Sequence, residues 1–420
     1  MPASEQILSP RIRRLRGDLE NGDPTALESF WREVERNGTP LVEAVEADEN
    51  RSLVTFVWRG DKDLRKVQVI NAFVDDDGEL IQLPATNLWY RSCVFPNDLM
   101  TGYLFSLNDS GEPITGESFA ERTRAGLYPH DPYNFQPLLG ENTQFPQESL
   151  LKLPNAPLEP WIGEKARVPR GQIEKHLFRS SLLKNERSLW VYTPPGYLQD
   201  AGEYPWLLLL DGGAYLDLGT TTILDNLIAA QKIPPVFAFF LANHSHATRH
   251  IDSSCNPLFA RFLTEEMVPW LRQHYPISGD PGQAVISGDS YTGLSATFAA
   301  FQHPQIFGNV LAQSAVYFWF QGMDRELTPG EDPKPNWLIR QIESSEKLPL
   351  RFHLDVGNLE TGVDPDNAAQ TSILESNRHM HRVLQAKGYE VEYIESGGGH
   401  DFANWRQLLP GAIIFLTNNK

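Results

Sequence analysis

The sequence predicts an α/β domain, a mostly parallel central sheet flanked by helices, preceded by an N-terminal β-sandwich domain. Three observations predict it. In the second half, short and nearly continuous apolar runs alternate with amphipathic stretches of helical length. Strands buried on both faces of a parallel sheet read as such runs. In the first half the apolar segments are short, β-rich and closely spaced, the pattern of an antiparallel sandwich. Between the halves, Leu151–Gly171 carries Pro154, Pro157, Pro160 and Pro169, a density that prevents regular structure. The boundary falls in that stretch, giving domains at 1–160 and 161–420.

The first 30 residues read as helical, with apolar residues spaced between charges from Ile12 to Phe30. Ser52–Trp58 (SLVTFVW), Lys66–Phe73 (KVQVINAF) and Tyr103–Leu107 (YLFSL) read as strands. Asp75–Gly78 (DDDG) reads as a solvated turn rather than a calcium loop. In the second half the strand candidates are Leu189–Thr193, Trp206–Leu210, Val236–Leu241, Gln283–Ser287, Val310–Gln313, Arg351–Val356 and Glu390–Ile394. The helical stretches between them are Thr222–Gln231, Leu258–His274, Leu294–Gln302 and Leu374–Lys387.

Composition narrows the function classes. The chain has 420 residues, with 36 Lys plus Arg against 54 Asp plus Glu, a formal charge of −18. General nucleic-acid binders and anionic-membrane binders need a basic face, so neither partner is expected. An anionic small molecule remains compatible, because one pocket can be locally basic. The two cysteines, Cys93 and Cys255, cannot build a disulfide framework and supply too few thiolates for a zinc ribbon or iron–sulfur site. The N-terminal stretch has no apolar core of signal-peptide length, and no window reaches the roughly 20 apolar residues of a membrane span. A soluble, cytoplasmic protein is the expectation.

The chemistry-bearing residues cluster at strand ends. Gln283–Ser287 runs into Gly288-Asp289-Ser290-Tyr291-Thr292-Gly293 and then into a helix rich in Ala and Leu. This is the strand–sharp turn–helix setting of a nucleophile elbow, in which the turn lifts one serine hydroxyl above the sheet edge. The second glycine of G-x-S-x-G is replaced by Thr292, and Gly293 comes one place later. The amide of Tyr291, next after the serine, is a candidate oxyanion donor.

Ser396-Gly397-Gly398-Gly399-His400-Asp401 follows the last strand candidate, about 110 residues after the serine. That is where an α/β-hydrolase carries its general base. The third member should be a carboxylate past a strand end, between serine and histidine in the chain. It would fix the imidazole tautomer and stabilise the imidazolium. Glu360, after Arg351–Val356, is the choice, with Asp364 and Asp366 as rivals on the same loop. Asp355 lies within the strand, and Asp401 is too close to His400 to fold back to its ring. Gly212-Gly213-Ala214-Tyr215 follows the central strand, and Gly213 or Ala214 could present a second oxyanion donor. An ordinary tight turn explains the two glycines equally well.

With these residues assembled, the chain resembles the enterochelin (enterobactin) esterase family, hydrolases that open the triserine trilactone of catecholate siderophores. The resemblance spans nearly the whole chain. In the first half it rests on Gly38-Thr39-Pro40, Val54–Arg59 and Asp131-Pro132-Tyr133-Asn134, and at the join on Leu153–Pro157. In the second half it rests on Arg187 with Val191–Pro194, Leu209–Gly212, Pro269-Trp270, Gly288–Tyr291, His303–Gly308 and Gly398–Asp401 ending in Trp405-Arg406. It implies a β-sandwich joined to an α/β-hydrolase domain, with Ser290 as nucleophile, His400 as base and Glu360 as third member. Two positions depart from the family pattern. Asp289 puts a negative charge where an uncharged Gln or His is usual, and Thr292 crowds the elbow where a glycine is usual.

The resemblance also implies a small-molecule substrate, a ferric catecholate siderophore. No cofactor or protein-bound metal is required, since iron would arrive on the substrate. A ferric tricatecholate is trianionic, so local cations must dominate the pocket. Arg249, Arg406 and Arg187 are candidates, suited by the planar guanidinium and its stacking on aromatic rings. Trp405, Trp319 and Tyr291 could face catechol rings. His244, His246 and His250 form a cluster that reads as a loop over the site rather than a metal centre, with Arg249 and Asp252 able to pair there. Two alternatives keep the fold: an esterase for another substrate, such as a feruloyl ester, or a siderophore-binding protein whose elbow Thr292 has closed.

Overall fold

Ser9 accepts the N–H of Ile12 on its side chain, and Pro10 takes the first helical position, so helix α1 (Pro10–Glu20) begins where its sequence supplies a cap. The structure, a computed structural model, describes residues 9–46, 48–70, 78–109, 122, 125–140, 142–143, 145–198, 202–323, 334–363 and 371–418. It divides into one unit of Met1–Leu139, Phe145–Leu158 and Asp401–Ala403, and a second of Gly140–Gln144, Glu159–His400 and Asn404–Lys420.

In the first unit α1 stops at Asn21-Gly22 and α2 (Ala26–Asn37) follows. The helical reading from Ile12 to Phe30 is therefore two helices, and the second runs past Phe30. Two antiparallel sheets come next. The first holds β1 (Leu41–Val45), β2 (Asp48–Arg59), β4 (Ile81–Gln82) and β5 (Leu88–Pro96) in the order β1-β2-β5-β4. The second holds β3 (Val67–Ile70), β6 (Met100–Leu107), β7 (Pro137–Leu138) and β8 (Glu148–Lys152) in the order β3-β6-β8-β7. Ile12, Leu15, Phe30, Trp31 and Val34 of the helices share one apolar cluster with Leu41, Val57, Leu88 and Tyr90 of the first sheet. The Asp131–Asn134 segment is a lock. Tyr103 Oη donates to Asp131 at 2.8 Å, and Asn134 Nδ2 donates to the carbonyls of Thr39 and Leu150. Most of the DDDG turn lies outside the described residues.

The second unit is a single eight-stranded sheet. Its strands are β9 (Gln172–Ser180), β10 (Asn185–Thr193), β11 (Trp206–Leu210), β12 (Phe237–Leu241), β13 (Ala284–Asp289), β14 (Asn309–Gln313), β15 (Arg351–Gly357) and β16 (Glu390–Ser396). The order is β16-β15-β14-β13-β11-β12-β10-β9. The six strands from β16 to β12 are parallel, while β10 pairs antiparallel to β12 and β9 antiparallel to β10. Burial follows the period of two. Trp206, Leu208 and Leu210 enter the cluster on one face, and Leu207 and Leu209 enter the cluster on the other. Both faces are covered, so β11 and β12 are apolar throughout. The strand β9 escapes the sequence reading because it is an edge, largely exposed and alternating too weakly to stand out.

The helices are α3 (Gly212–Asp217), α4 (Thr220–Ala229), α5 (His246–Ser253), α6 (Pro257–Arg261), α7 (Val268–His274), α8 (Ser290–Gln302), α9 (Trp337–Ser344), α10 (Ile373–Ala386) and α11 (Phe402–Thr417). The segment carrying His246 and His250 is thus a helix rather than a loop. No helix among the described residues is long and apolar enough to cross a membrane. The strand order reverses between β11 and β13, and in open α/β sheets ligands bind beyond the strand ends at such a switch point.

Candidate active site

β13 ends at Asp289, and α8 begins at Ser290 with no intervening loop. The turn is forced through Ser290, whose φ is +54°, a left-handed value that non-glycine residues rarely adopt. The close approach explains Gly288: a Cβ there would sit 2.4 Å from the carbonyl carbon of Thr292. Thr292 does not collide with the elbow. Its Oγ1 accepts the N–H of Asp289 at 2.9 Å and lies 2.8 Å from the Asp289 carbonyl and 3.1 Å from Asp211 Oδ2.

Ser290 Oγ lies 3.0 Å from Nε2 of His400, and Nδ1 of the same ring lies 2.7 Å from Oε2 of Glu360. A carboxylate facing Nδ1 requires the proton on that nitrogen, which leaves Nε2 as the acceptor of the serine proton. Glu360 is buried and its second oxygen is also satisfied. Oε1 accepts from Ser314 Oγ at 2.6 Å and from the Gly357 N–H at 2.7 Å. Ser314 Oγ in turn accepts the indole N–H of Trp405 at 2.9 Å. The His400 side chain keeps 32% of its surface exposed, while Glu360 keeps 1%. Hydroxyl, imidazole and carboxylate therefore form one chain of hydrogen bonds, with the imidazole as its exposed member.

The rival acids are placed elsewhere or lie beyond description. Asp355 is fully buried and bonds His353 Nε2 at 3.2 Å and Gln313 Nε2 at 3.1 Å. Asp401 caps the start of α11 by accepting the Ala403 N–H at 2.9 Å. Asp364 and Asp366 lie outside the described residues.

Past β11, Asp211 takes a left-handed φ of +56° and the chain turns into Gly212-Gly213. Both glycines are steric necessities. A Cβ on Gly212 would meet the Phe240 backbone at 2.2 Å, and one on Gly213 would meet the Asn142 carbonyl at 2.1 Å. Ala214 spends its N–H on the Asp211 carbonyl at 2.9 Å, which leaves Gly213 as the candidate of the two.

The arginines expected to bind an anionic substrate are committed elsewhere. Arg187 is 2% exposed, paired with Asp252 at 2.6 Å, with its guanidinium over the rings of Phe259 and Phe262 at 5.4 and 5.7 Å. Arg249, also buried, holds Asp211 in a two-pronged contact and lies 3.5 Å from Asp289 Oδ2. Its partners are thus Asp211 and Asp289, and Asp252 belongs to Arg187. Arg406 pairs with Glu159 through Nε at 2.9 Å and Nη2 at 3.2 Å. Trp405 is 4% exposed and sets its ring edge-on to His400, centroids 5.1 Å apart, which makes it a support rather than a stacking platform. Trp319 is buried against Trp337. His244 Nδ1 bonds the Glu186 carbonyl, and the His250 ring packs edge-on to Tyr291 at 4.6 Å.

The negative charge expected beside the nucleophile is also modified. Burial and the neighbouring Asp211 push the Asp289 carboxyl well above the usual carboxylate range, against the opposing pull of Arg249. The sequence reading missed Ser314, which has φ +46° directly after β14 and steadies Glu360. It also missed the Asp211 cluster, to which Asn243 Nδ2 and Thr292 Oγ1 also bond. A serine at a strand end is too common to signal this by itself.

An eight-stranded α/β sheet with a serine elbow at its switch point defines the class as an α/β-hydrolase. A family model described as "Putative esterase" matches residues 180–416, and one described as "Enterochelin esterase, N-terminal" matches residues 53–162. The chain belongs to the enterochelin esterase family, whose members are carboxylic ester hydrolases. It is 28% identical over 425 residues to the iron(III) enterobactin esterase of Dickeya dadantii (strain 3937), covering 93% of both chains. It is 28% identical over 422 residues to the iron(III) salmochelin esterase of Escherichia coli O6:H1, covering 96% of this chain and 97% of that one. The fold is that of the Shigella flexneri enterobactin esterase crystallised in the presence of enterobactin, with TM-score 0.73, 24% identity, and coverage of 93% of this chain and 97% of that one.

Proposed function

We propose that the protein hydrolyses the ester bonds of a catecholate siderophore trilactone, with Ser290 as nucleophile, His400 as general base and Glu360 as its orienting acid. The observation that carries the reading is the unbroken hydrogen-bonded line from Ser290 Oγ through His400 to Glu360. Relatives matched along nearly the whole chain and named as iron(III) enterobactin and salmochelin esterases support the substrate class.

His400 Nε2 takes the hydroxyl proton as Ser290 Oγ attacks an ester carbonyl. The carbonyl oxygen becomes an oxyanion, held by the N–H groups of Tyr291 and Gly213. In the first turn of α8 the N–H groups point out of the helix, towards such a charge. Each donor of this kind is worth about 3–4 kcal/mol in the transition state. Collapse of the tetrahedral species breaks the carbon–oxygen bond, and His400 protonates the departing serine hydroxyl of the substrate. Water then gives its proton to His400, attacks the acyl-enzyme and releases the acid and Ser290. Iron takes no part in these steps and travels with the catecholate oxygens of the substrate.

We assign residues 1–160 to an N-terminal domain and 161–420 to the catalytic one. The reaction is placed in the cytoplasm, where a chain with two cysteines not joined by a disulfide is at home. The test is product analysis after incubation with iron-free and ferric catecholate trilactone, beside a feruloyl ester. Linear catecholoyl-serine products from the trilactone, absent with Ser290→Ala, are expected. Preferential cleavage of the feruloyl ester would overturn the substrate class.

A further inference from the structure

We propose that Thr292 is a positioning residue that holds the two oxyanion donors in register. The proposal rests on the reading of Ser290 as nucleophile. Thr292 is 1% exposed and sits one residue beyond Tyr291. Its hydroxyl meets two different elements. It accepts the Asp289 N–H at 2.9 Å, and its single proton can go to the Asp289 carbonyl at 2.8 Å or to Asp211 Oδ2 at 3.1 Å.

Asp289 is the last residue of β13, and Asp211 is the first after β11. The two strands are parallel neighbours in the sheet. One hydroxyl thus joins the turn that bends through Ser290 to the turn that presents Gly213. Both turns pass through left-handed non-glycine residues, at φ +54° for Ser290 and +56° for Asp211, so each needs external restraint. Asp211 is itself fixed by Arg249, which donates to the same Oδ2, and by Asn243, which donates to Oδ1. The contact is therefore a bolt between two anchored pieces. The packing of the Thr292 backbone on Gly288 keeps the bolt from sliding. A glycine at 292 would carry no hydroxyl and make no such joint.

The consequence is kinetic. Shifting one donor relative to the other weakens the hold on the tetrahedral oxyanion and leaves ground-state binding untouched. Thr292→Val keeps the shape and removes the hydroxyl. It is expected to lower kcat by about 10–100-fold with KM within about twofold, because small misplacements in an active site cost factors of this size. The affinity of phenylboronic acid, which forms a tetrahedral adduct with the serine oxygen, should fall by the same factor as kcat. Thr292→Ser should restore both to within about threefold of wild type, by keeping the hydrogen bonds. A merely structural threonine would move the melting temperature and leave kcat and boronate affinity uncorrelated.

The proposal is overturned if Thr292→Val keeps kcat within threefold, or if boronate affinity stays at the wild-type value while kcat falls. Should Thr292→Val fail to fold, Thr292→Gly is read in the same two assays with the same criteria. Turnover retained in Ser290→Ala would instead bring down the nucleophile reading, and the two failures are thereby told apart.

Discussion

Glu360 and Asp289 are both buried carboxyl groups at the ends of strands in the same sheet, yet they stand in opposite relations to Ser290. Asp289 is its chain neighbour, and Glu360 is its partner only through His400. Glu360 has both oxygens engaged by hydrogen-bond donors and one of them turned to an imidazole. Asp289 shares one arginine with a second carboxylate, Asp211, and is driven towards its neutral form by burial. Adjacency in the chain therefore places a group in the framework of the elbow, while convergence from a distant strand places one in line with the chemistry. The same contrast separates the cations. Arg187, Arg249 and Arg406 are engaged by buried carboxylates rather than offered to a ligand.

Neutralising the two acids in turn separates their roles. Glu360→Gln should lower kcat by about 10²–10⁴-fold, because the amide can hold the wrong imidazole tautomer and cannot stabilise the imidazolium. Asp289→Asn should keep kcat within about tenfold, since an amide resembles the neutral carboxyl that burial favours there. Steady-state kinetics on both variants checks the pair. If the effects were reversed, or if substitution of Asp364 or Asp366 abolished turnover while Glu360→Gln did not, the assignment of the acid would be wrong.

The second expectation concerns the framework arginines. Arg187→Met leaves Asp252 buried without its 2.6 Å partner, and breaking such a pair costs about 3–5 kcal/mol. Chemical denaturation should show that loss, and the folded fraction should keep its KM for the trilactone. A raised KM at unchanged stability would return Arg187 to the substrate.

The smallest expected effect is a pH dependence of stability far from Ser290. His353 lies between Asp355 and Glu392, at 3.2 and 2.8 Å. Burial disfavours its charged form, but the hydrogen bonds to these carboxylates outweigh that and hold it up at about 9. A pKa raised by folding contributes stability that is complete below the ordinary histidine range, about pH 6.5, and is lost as pH rises through 9. The urea midpoint should fall between pH 6 and pH 9, and His353→Gln should flatten that slope.

Much of this architecture was legible in the sequence, for a physical reason. A parallel sheet covered on both faces writes itself as apolar runs, and β11 and β12 are apolar without exception. The elbow was legible because an apolar strand runs directly through Gly288 and Ser290 into an Ala-rich helix, and the late Gly-His loop gave that pattern a partner. The edge strand β9, most of whose side chains face water, was not. The break between α1 and α2 was legible but overlooked, since Asn21-Gly22-Asp23-Pro24 is a turn signal with no apolar side chain to carry a helix face across it. At the site, serine, histidine and acid could be ordered along the chain. The fate of the arginines could not, because residue type does not reveal which of 54 acidic side chains will meet a given guanidinium. Ser314 and Thr292 act through single hydroxyl groups whose partners are distant in sequence, and no local pattern reports them.

In the proposed mechanism His400 makes the hydroxyl of Ser290 nucleophilic. A fluorophosphonate reacts with such a hydroxyl, and peptide mapping of the adduct tests the claim most directly. One adduct is expected, on Ser290, formed rapidly by the wild-type protein and lost or slowed at least about 10³-fold in folded His400→Ala. Labelling of Ser290 at an unchanged rate without the imidazole, or an adduct on another residue, would contradict it.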